Sequence, residues 1–177
     1  DAVAALAEED RLLALAAPAA PAESDPAKDF DEMYGEELKR VLGTREVQDD
    51  VDLAVQLLEA AKAPNAPPPM IALLCEKANE LAMGAARDYE AAVQSLEVLA
   101  ELLPARKEDC LARIIALRQR QYDTTKGDAH NAAAELLVDA IDKSAQTKAD
   151  AEDFDGAAAL YRHASGVAPT PEGKDAV

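Results

Sequence analysis

Aromatic residues and glycine are scarce in this chain of 177 residues. It has no tryptophan, its aromatic content is 3%, and it contains 7 glycines. A β-sandwich or barrel needs strands of β-branched and aromatic residues with frequent turns, and the sequence has no convincing segment of alternating apolar and polar residues. The sequence therefore predicts an all-α fold with no β-sheet.

Positive charge is also in short supply. The chain carries 18 Lys and Arg residues against 35 Asp and Glu residues, for a formal net charge of −17 and a pI near 4.4. Binding to phosphate needs a positive surface, so a chain of this charge repels nucleic acid and anionic lipid. No apolar run reaches the length that spans a bilayer. We therefore expect no nucleic-acid partner and no membrane insertion.

Residues that carry catalysis or bind metals are few and widely spaced. The candidates are His130, His163, Cys75 and Cys110, and no two of them lie about two to four residues apart, the spacing typical of zinc sites. The sequence also has no nucleophile motif and no glycine-rich phosphate loop. We predict no catalytic, cofactor or metal site. The two cysteines are interpreted as apolar packing residues, with a disulfide between them as the alternative.

A five-residue motif recurs three times in the chain. Its pattern is an acid, an apolar residue, a second acid, any residue and alanine, and its copies are 50–54, 88–92 and 153–157. Each copy continues into an amphipathic stretch that ends near a proline. A recurring helix that cannot bury its apolar stripe alone predicts stacked helical hairpins.

The copy that begins at Asp88 shows the element most clearly. Asp88 is a suitable N-cap, because its carboxylate accepts hydrogen bonds from free backbone N–H groups. The apolar residues recur at helical spacing and share one face. They are Tyr89, Ala92, Val93, Leu96, Leu99, Ala100 and Leu103. The small side chain of Ala92 lets a neighbouring helix approach closely.

The residues that carry a family resemblance are Asp88, Tyr89, Ala92 and Pro104, and then Asp153, Phe154, Ala157 and Pro169. Each set resembles the second helix of the tetratricopeptide repeat, which opens with Asp-Tyr-x-x-Ala and ends near proline. Over residues 30–168 the chain is similar to a divergent member of that family, without its first-helix tryptophan signature. The resemblance implies an α-solenoid of about three antiparallel hairpins and about seven helices. It also implies repeat-packing roles for Ala54, Tyr89, Ala92, Phe154 and Ala157.

The prolines divide the chain into three parts. Residues 1–28 are predicted to be an Ala/Pro-rich segment in which 1–17 could form a short helix before a linker. Residues 29–168 are predicted to be the helical repeat domain, and residues 169–177 a flexible tail. The linker prolines are Pro18, Pro21 and Pro26. The short helix is either a frayed terminus or a tethered helix that docks on the repeats or on a second copy of the chain.

The repeat domain is predicted to contain seven helices. They span about 29–42, 47–63, 71–85, 88–103, 107–122, 128–148 and 153–166. The proline-rich run from Pro64 to Met70 is predicted to be a stiff, extended joint. The acids of the first motif copy, at the start of the second helix, are interpreted as N-capping groups. Apolar spacing assigns Met33, Leu42, Val47 and Val55 to faces that point toward the core.

Basic residues cluster on and around the fifth predicted helix. They are Arg106, Lys107, Arg113, Arg118, Arg120 and Lys126. One interpretation is a solvated face that offsets neighbouring acidic helices through modest surface pairs. The other is a docking site for an acidic segment of a partner, with Arg113, Arg118 and Arg120 as the contacts.

These observations leave three functions open. The preferred one is a non-catalytic scaffold that binds a protein or peptide partner, because the helices recur and no catalytic constellation is found. The second is an accessory or catalytic helical domain of an enzyme, which a cleft with two close carboxylates would favour. The third is a homo-oligomer that assembles through the N-terminal helix. The start at Asp1 is interpreted as a processed or excised piece, which leaves the compartment open between cytoplasm and export.

Overall fold

A computed structural model describes residues 25–44, 46–84 and 86–167. Its helices are α1 (Pro26–Leu42), α2 (Val47–Ala61), α3 (Pro68–Met83), α4 (Tyr89–Leu102), α5 (Lys107–Thr124), α6 (Asp128–Asp150) and α7 (Phe154–Val167), with a 3-10 turn at Pro104–Arg106. The part of the chain that the structure describes contains no strand. An all-α fold with about seven helices is thus confirmed for these residues. The predicted helix over 1–17 and the tail over 169–177 lie outside them.

Two prolines are the first residues of helices, although the sequence analysis predicted that both lie in segments between helices. Pro26 is the first residue of α1, and the carboxylate of Asp25 accepts a hydrogen bond from the backbone N–H of Ala27 at 3.0 Å. Pro68 is the first residue of α3, so the predicted extended joint is shorter than expected. Proline is suited to this position because the first helical N–H has no partner within the helix. The predicted helix starts at 29 and 71 were therefore wrong by about one turn.

The three motif copies do not occupy equivalent positions. Asp88 caps α4 by accepting from the backbone N–H of Ala91 at 3.0 Å, and Asp153 accepts from the backbone N–H of Gly156 at 3.0 Å just before α7. Asp50 instead lies inside α2, which begins at Val47. The interpretation of Asp50 as an N-cap was wrong, because its helix starts three residues earlier.

Successive helices run in opposite directions. Asn79, late in α3, donates to the backbone carbonyl of Ala92, early in α4, at 2.8 Å. Lys148, late in α6, donates to the carboxylate of Glu108, early in α5, at 2.6 Å. Within residues 25–44, 46–84 and 86–167, backbone contacts between helices join only helices that are one or two positions apart in the chain.

Some helices that are two positions apart in the chain also contact each other. The backbones of α1 and α3 make contact, as do those of α2 and α4. Side chains continue this pattern: Glu97 of α4 pairs with Lys143 of α6 at 3.6 Å, and Gln119 of α5 lies 3.1 Å from the imidazole of His163 in α7. Contacts thus join several pairs of helices that are two positions apart, in addition to the pairs that follow one another in the chain.

The core is built mainly from leucine and alanine. Its largest fully buried residues include Leu53, Leu57, Leu74, Leu96, Leu99, Leu137 and Ile141. One cluster of buried residues extends over α1 to α5 and includes Ala140 of α6, and a second one joins α6 to α7. Ile115 of α5 packs against both clusters, so α5 connects the two parts of the core.

Four residues predicted to face the core are exposed. They are Met33, Leu42, Val47 and Val55. Each lies on α1 or α2, the first two described helices. Helical spacing identifies an apolar stripe, but only the part of the stripe that a neighbouring helix covers becomes buried. The prediction that these four residues face the core was wrong.

Candidate binding surfaces

The basic cluster on α5 is largely occupied by acids of the same chain. Arg113 donates to both carboxylate oxygens of Glu76 on α3, and both nitrogen–oxygen distances are 2.7 Å. Arg106 donates to the same carboxylate at 3.1 Å. The hydrogen bond from Arg113 is the main reason that the pKa of Glu76 is lowered below its usual value. This pairing links α3 to α5.

A second arginine of α5 is occupied in the same way. Arg118 is buried, with only 7% of its side chain exposed, and it donates to both carboxylate oxygens of Glu90 on α4. It also donates to the side-chain oxygen of Gln121 at 2.8 Å. The hydrogen bond from Arg118 lowers the pKa of Glu90. A buried guanidinium needs such partners, because an unpaired buried charge is strongly destabilising.

Two of the three arginines with a predicted docking role have acidic partners within the fold. The guanidinium groups of Arg113 and Arg118 are bound by carboxylates within the fold, so both positive charges already have a partner in the same chain. Arg120 is exposed on α5. The structure assigns Arg113 and Arg118 to helix packing, and the sequence could not show this because their partners lie on other helices.

The residues with implied repeat-packing roles separate into two groups. Ala54, Ala92 and Ala157 are buried, and Tyr89 is partly buried. Phe154 is 67% exposed, so its implied packing role was wrong. It is the first residue of α7, the last described helix, and no following helix among the described residues covers it.

The cysteines and histidines have structural surroundings. Cys75 and Cys110 are both buried free thiols, and burial raises the pKa of Cys75 to about 11. The ring of His130 stacks on Tyr122, with a distance of 4.1 Å between ring centroids. Among the residues that the structure describes, no group of three or more His, Cys, Asp and Glu side chains is placed to hold a metal ion.

An open groove of about 690 Å³ lies between the first half of α1, the end of α2 and the start of α3. Its lining is mainly apolar, with Met33, Tyr34 and Met70 among its walls. Asp29 and Glu32 also line it and make it acidic on the α1 side. Met33 is 59% exposed, so much of its apolar side chain is open to a ligand in the groove. Sequence reasoning missed the groove because helical spacing assigned Met33 to the core.

A second cavity of about 270 Å³ lies between α4, α5 and α6. Its polar walls have both signs of charge, with Lys107 and Lys143 as well as Glu97 and Asp139. Glu97 and Lys143 pair with each other across the cavity walls at 3.6 Å. Because its charges are mixed and partly paired, this cavity has less preference for a ligand of one charge than the groove beside α1.

None of the described helices combines the length and the apolar character needed to cross a membrane.

The groove beside α1, with its exposed methionine and acidic side, is the strongest candidate for a binding surface among the described residues. Comparisons of the chain with protein-family models, with curated proteins and with solved structures found no match.

Proposed function

We propose that this chain is a non-catalytic protein–protein interaction scaffold, and that the groove beside α1 holds an apolar segment of a partner protein flanked by lysine or arginine. The observation that carries the proposal is the exposure of Met33 in a groove that also contains Met70. Exposed apolar surface that is concave and edged by polar residues is typical of interaction sites. Methionine side chains are flexible and polarisable, so they suit the binding of an apolar segment.

Charge defines the kind of segment that fits. Asp29 and Glu32 line one side of the groove, and the only ion pair of Glu32 among the described residues is with the exposed Lys28, at 3.7 Å. The whole chain carries a formal charge of −17. Such a field steers basic partners toward the surface and repels acidic ones. An apolar segment with basic flanks therefore complements both the apolar lining of the groove and its acidic side on α1.

The order of helix contacts supports an α-solenoid of hairpins as the framework. Contacts between near neighbours in the chain are expected of stacked hairpins, in which each unit touches only the adjacent units. The capping bonds of Asp88 and Asp153 favour a relationship between α4 and α7. Because α4 and α7 are three helices apart, which is an odd number, they do not hold the same place in successive hairpins, so the stack that we propose is not a run of identical tetratricopeptide units.

Photo-crosslinking tests the proposed groove. The full chain with p-benzoylphenylalanine in place of Met33 is compared with the same photoreactive residue in place of Gln146, which is exposed on α6. After irradiation in an extract of the native source, crosslinked peptides are identified by mass spectrometry. We expect position 33 to crosslink to apolar peptide segments that have Lys or Arg at their flanks, and position 146 not to do so.

Two results would contradict the proposal. One is equal crosslinking at positions 33 and 146, which would mean that contact with the groove is not selective. The other is crosslinking from position 33 only to residues 1–24 of this chain, which would favour the N-terminal segment as the occupant. Circular dichroism of both variants provides the control for folding.

A further inference from the structure

The last described helix, α7, carries two large apolar residues on its outer surface. Phe154 is 67% exposed and Tyr161 is 43% exposed. Ala158 lies between them and Ser165 follows them, and both are also exposed. These four residues recur at spacings of three and four, which places them on one face of the helix. We call them the α7 stripe.

The α7 stripe points away from the helices that α7 contacts. The core side of α7 includes Ala157 and Val167, which are buried. The imidazole of His163 lies 3.1 Å from the side-chain oxygen of Gln119 on α5. Phe154 precedes His163 by nine residues, which is about two and a half helical turns, so the two side chains point to opposite sides. The α7 stripe therefore lies on the side of the helix opposite to α5.

Charge is low and balanced on the same helix. Its 14 residues include one acid, Asp155, and one base, Arg162, so its formal charge is zero in a chain that carries −17. The centres of protein interfaces are poor in charged residues, whereas phenylalanine, tyrosine and arginine are enriched there. An exposed aromatic stripe on a helix without net charge therefore has the character of a protein interface.

The two charges of α7 are placed so that a second copy of the helix complements them. Asp155 and Arg162 are both exposed and seven residues apart, so they lie along the same flank of the α7 stripe. The Nε of Arg162 donates to the backbone carbonyl of Ala158 at 3.2 Å, which holds the guanidinium group beside the middle of the stripe. When two identical helices pack antiparallel, this flank of one helix meets the same flank of the other. Asp155 of each copy then meets Arg162 of the other.

We propose that two copies of this chain associate through antiparallel α7 helices. The twofold axis passes near Ala158, whose small side chain lets the two helices approach closely. Phe154 and Tyr161 lie on either side of Ala158 along the helix, so each stripe is covered by the other. The inference does not rest on the proposed scaffold function, because the groove beside α1 is formed by other helices.

The balance of charges favours a second copy as the occupant. A partner segment with charges of one sign would match either Asp155 or Arg162 and repel the other. A second α7 matches both at once, and it brings no net charge to the contact. Complementary charges of this kind set the orientation in which two helices pair.

The association should be weak, because one helix from each copy forms the contact. The 14 residues of α7 extend over about 21 Å, and a single pair of such helices buries less than the roughly 1,600 Å² of a standard interface. We expect a dissociation constant of about 0.1–1 mM, measured by sedimentation equilibrium of the full chain. Salt at about 0.15 M screens the repulsion between two acidic chains beyond about 8 Å. A monomer mass at about 2 mM, which would also result if residues 168–177 cover the stripe, would overturn the proposal.

A change in the apolar stripe locates the contact. Phe154→Ser should weaken the dimer about tenfold or more, because it removes the most exposed apolar residue of the stripe. Val55→Ser is the control, because Val55 is exposed on α2, and its effect should stay within about twofold. Equal effects of the two substitutions would mean that the chains do not associate through α7.

Charge reversal tests the antiparallel orientation. Arg162→Glu and Asp155→Arg each place like charges against each other in a symmetric dimer, so each should weaken association about tenfold. An equimolar mixture of the two variants should associate with about the affinity of the wild type, because the mixed dimer has opposite charges at both contacts. Arg120→Glu is the control for total charge, since Arg120 is exposed on α5, and it should stay within about twofold of the wild type.

A mixture that associates no better than either variant alone would overturn the proposal. Circular dichroism of each variant is the control for folding. None of these results affects the crosslinking expected at position 33, so the two proposals can fail separately.

Discussion

The guanidinium group of Arg113 donates to both carboxylate oxygens of Glu76, each over 2.7 Å. The two residues are 37 positions apart in the chain and connect α3 to α5. Such two-pronged pairs are stronger and more selective in geometry than single hydrogen bonds. This pair, with Arg118 and Glu90 between α5 and α4, explains why an acidic chain concentrates arginine on one helix.

Loss of the Glu76 carboxylate should destabilise the fold. In the Glu76→Gln variant, Arg113 loses its charged partner and the bonds that remain are weaker. We expect the free energy of unfolding at pH 7 to fall by about 1–3 kcal/mol, as measured by urea denaturation. Glu59→Gln is the control, because Glu59 forms an exposed pair with Lys62 at the C-terminal end of α2, and the loss of this pair should cost less than about 0.5 kcal/mol. Equal losses in the two variants would contradict the special role of Glu76.

Acid should weaken the same contacts. The pKa of Glu76 is lowered mainly by the hydrogen bond from Arg113, and that of Glu90 mainly by the hydrogen bond from Arg118. A lowered carboxyl pKa gives stability that is fully present above the unfolded value of about 4.3 and is lost as the pH falls through the folded value. We therefore expect the free energy of unfolding to decrease as the pH falls below about 4.3. The slope should be smaller in Glu76→Gln, and an unchanged slope would contradict this account.

The two cysteines should be nearly inert in the folded protein. Burial raises the pKa of Cys75 to about 11 and also raises the pKa of Cys110. At pH 7.5 roughly one Cys75 thiol in a thousand or fewer is then ionised, and the thiolate is the reactive form. With Ellman's reagent, we expect slow reaction of the native protein and rapid reaction of both thiols in denaturant. Fast native labelling, or no free thiol after denaturation, would contradict this prediction.

The leucine core should be sensitive to cavities. Leu99 is fully buried in α4, so Leu99→Ala should lower the free energy of unfolding by about 2–5 kcal/mol. Val55→Ala removes an exposed apolar side chain from α2 and should change it by less than about 0.5 kcal/mol. Thermal and urea denaturation measure both. A cost for Leu99→Ala no larger than that for Val55→Ala would mean that α4 does not pack as described.

Local signals in the sequence predicted the helices well, but contacts between helices did not follow from them. Asp88 acts within its own first turn, so its capping role is visible in the sequence. The partner of Arg113 lies 37 residues away on another helix, and no local pattern indicates that distance. Asp50 shows a second limit of local patterns. The motif at 50–54 has the same pattern as the one that begins at Asp88, but it does not mark the start of its helix, which begins at Val47.

The exposure of apolar residues on α1 also could not be predicted from the sequence. Met33 and Leu42 have the spacing of core residues, yet each is more than half exposed. Helical spacing identifies a face, whereas its burial depends on whether a neighbouring helix covers it. Met33 lines the groove beside α1, so the binding surface that we propose lies where the core prediction was wrong.

The central claim is that the groove beside α1 binds the partner. The most direct measurement is the affinity of the partner identified by crosslinking for the wild type, for Met33→Glu and for Val55→Glu, by isothermal titration calorimetry. Both substitutions add one negative charge at an exposed apolar position, but only Met33 lines the groove. We predict that Met33→Glu weakens binding about tenfold or more and that Val55→Glu stays within about twofold of the wild type. Equal effects of the two substitutions, or none from Met33→Glu, would contradict the claim.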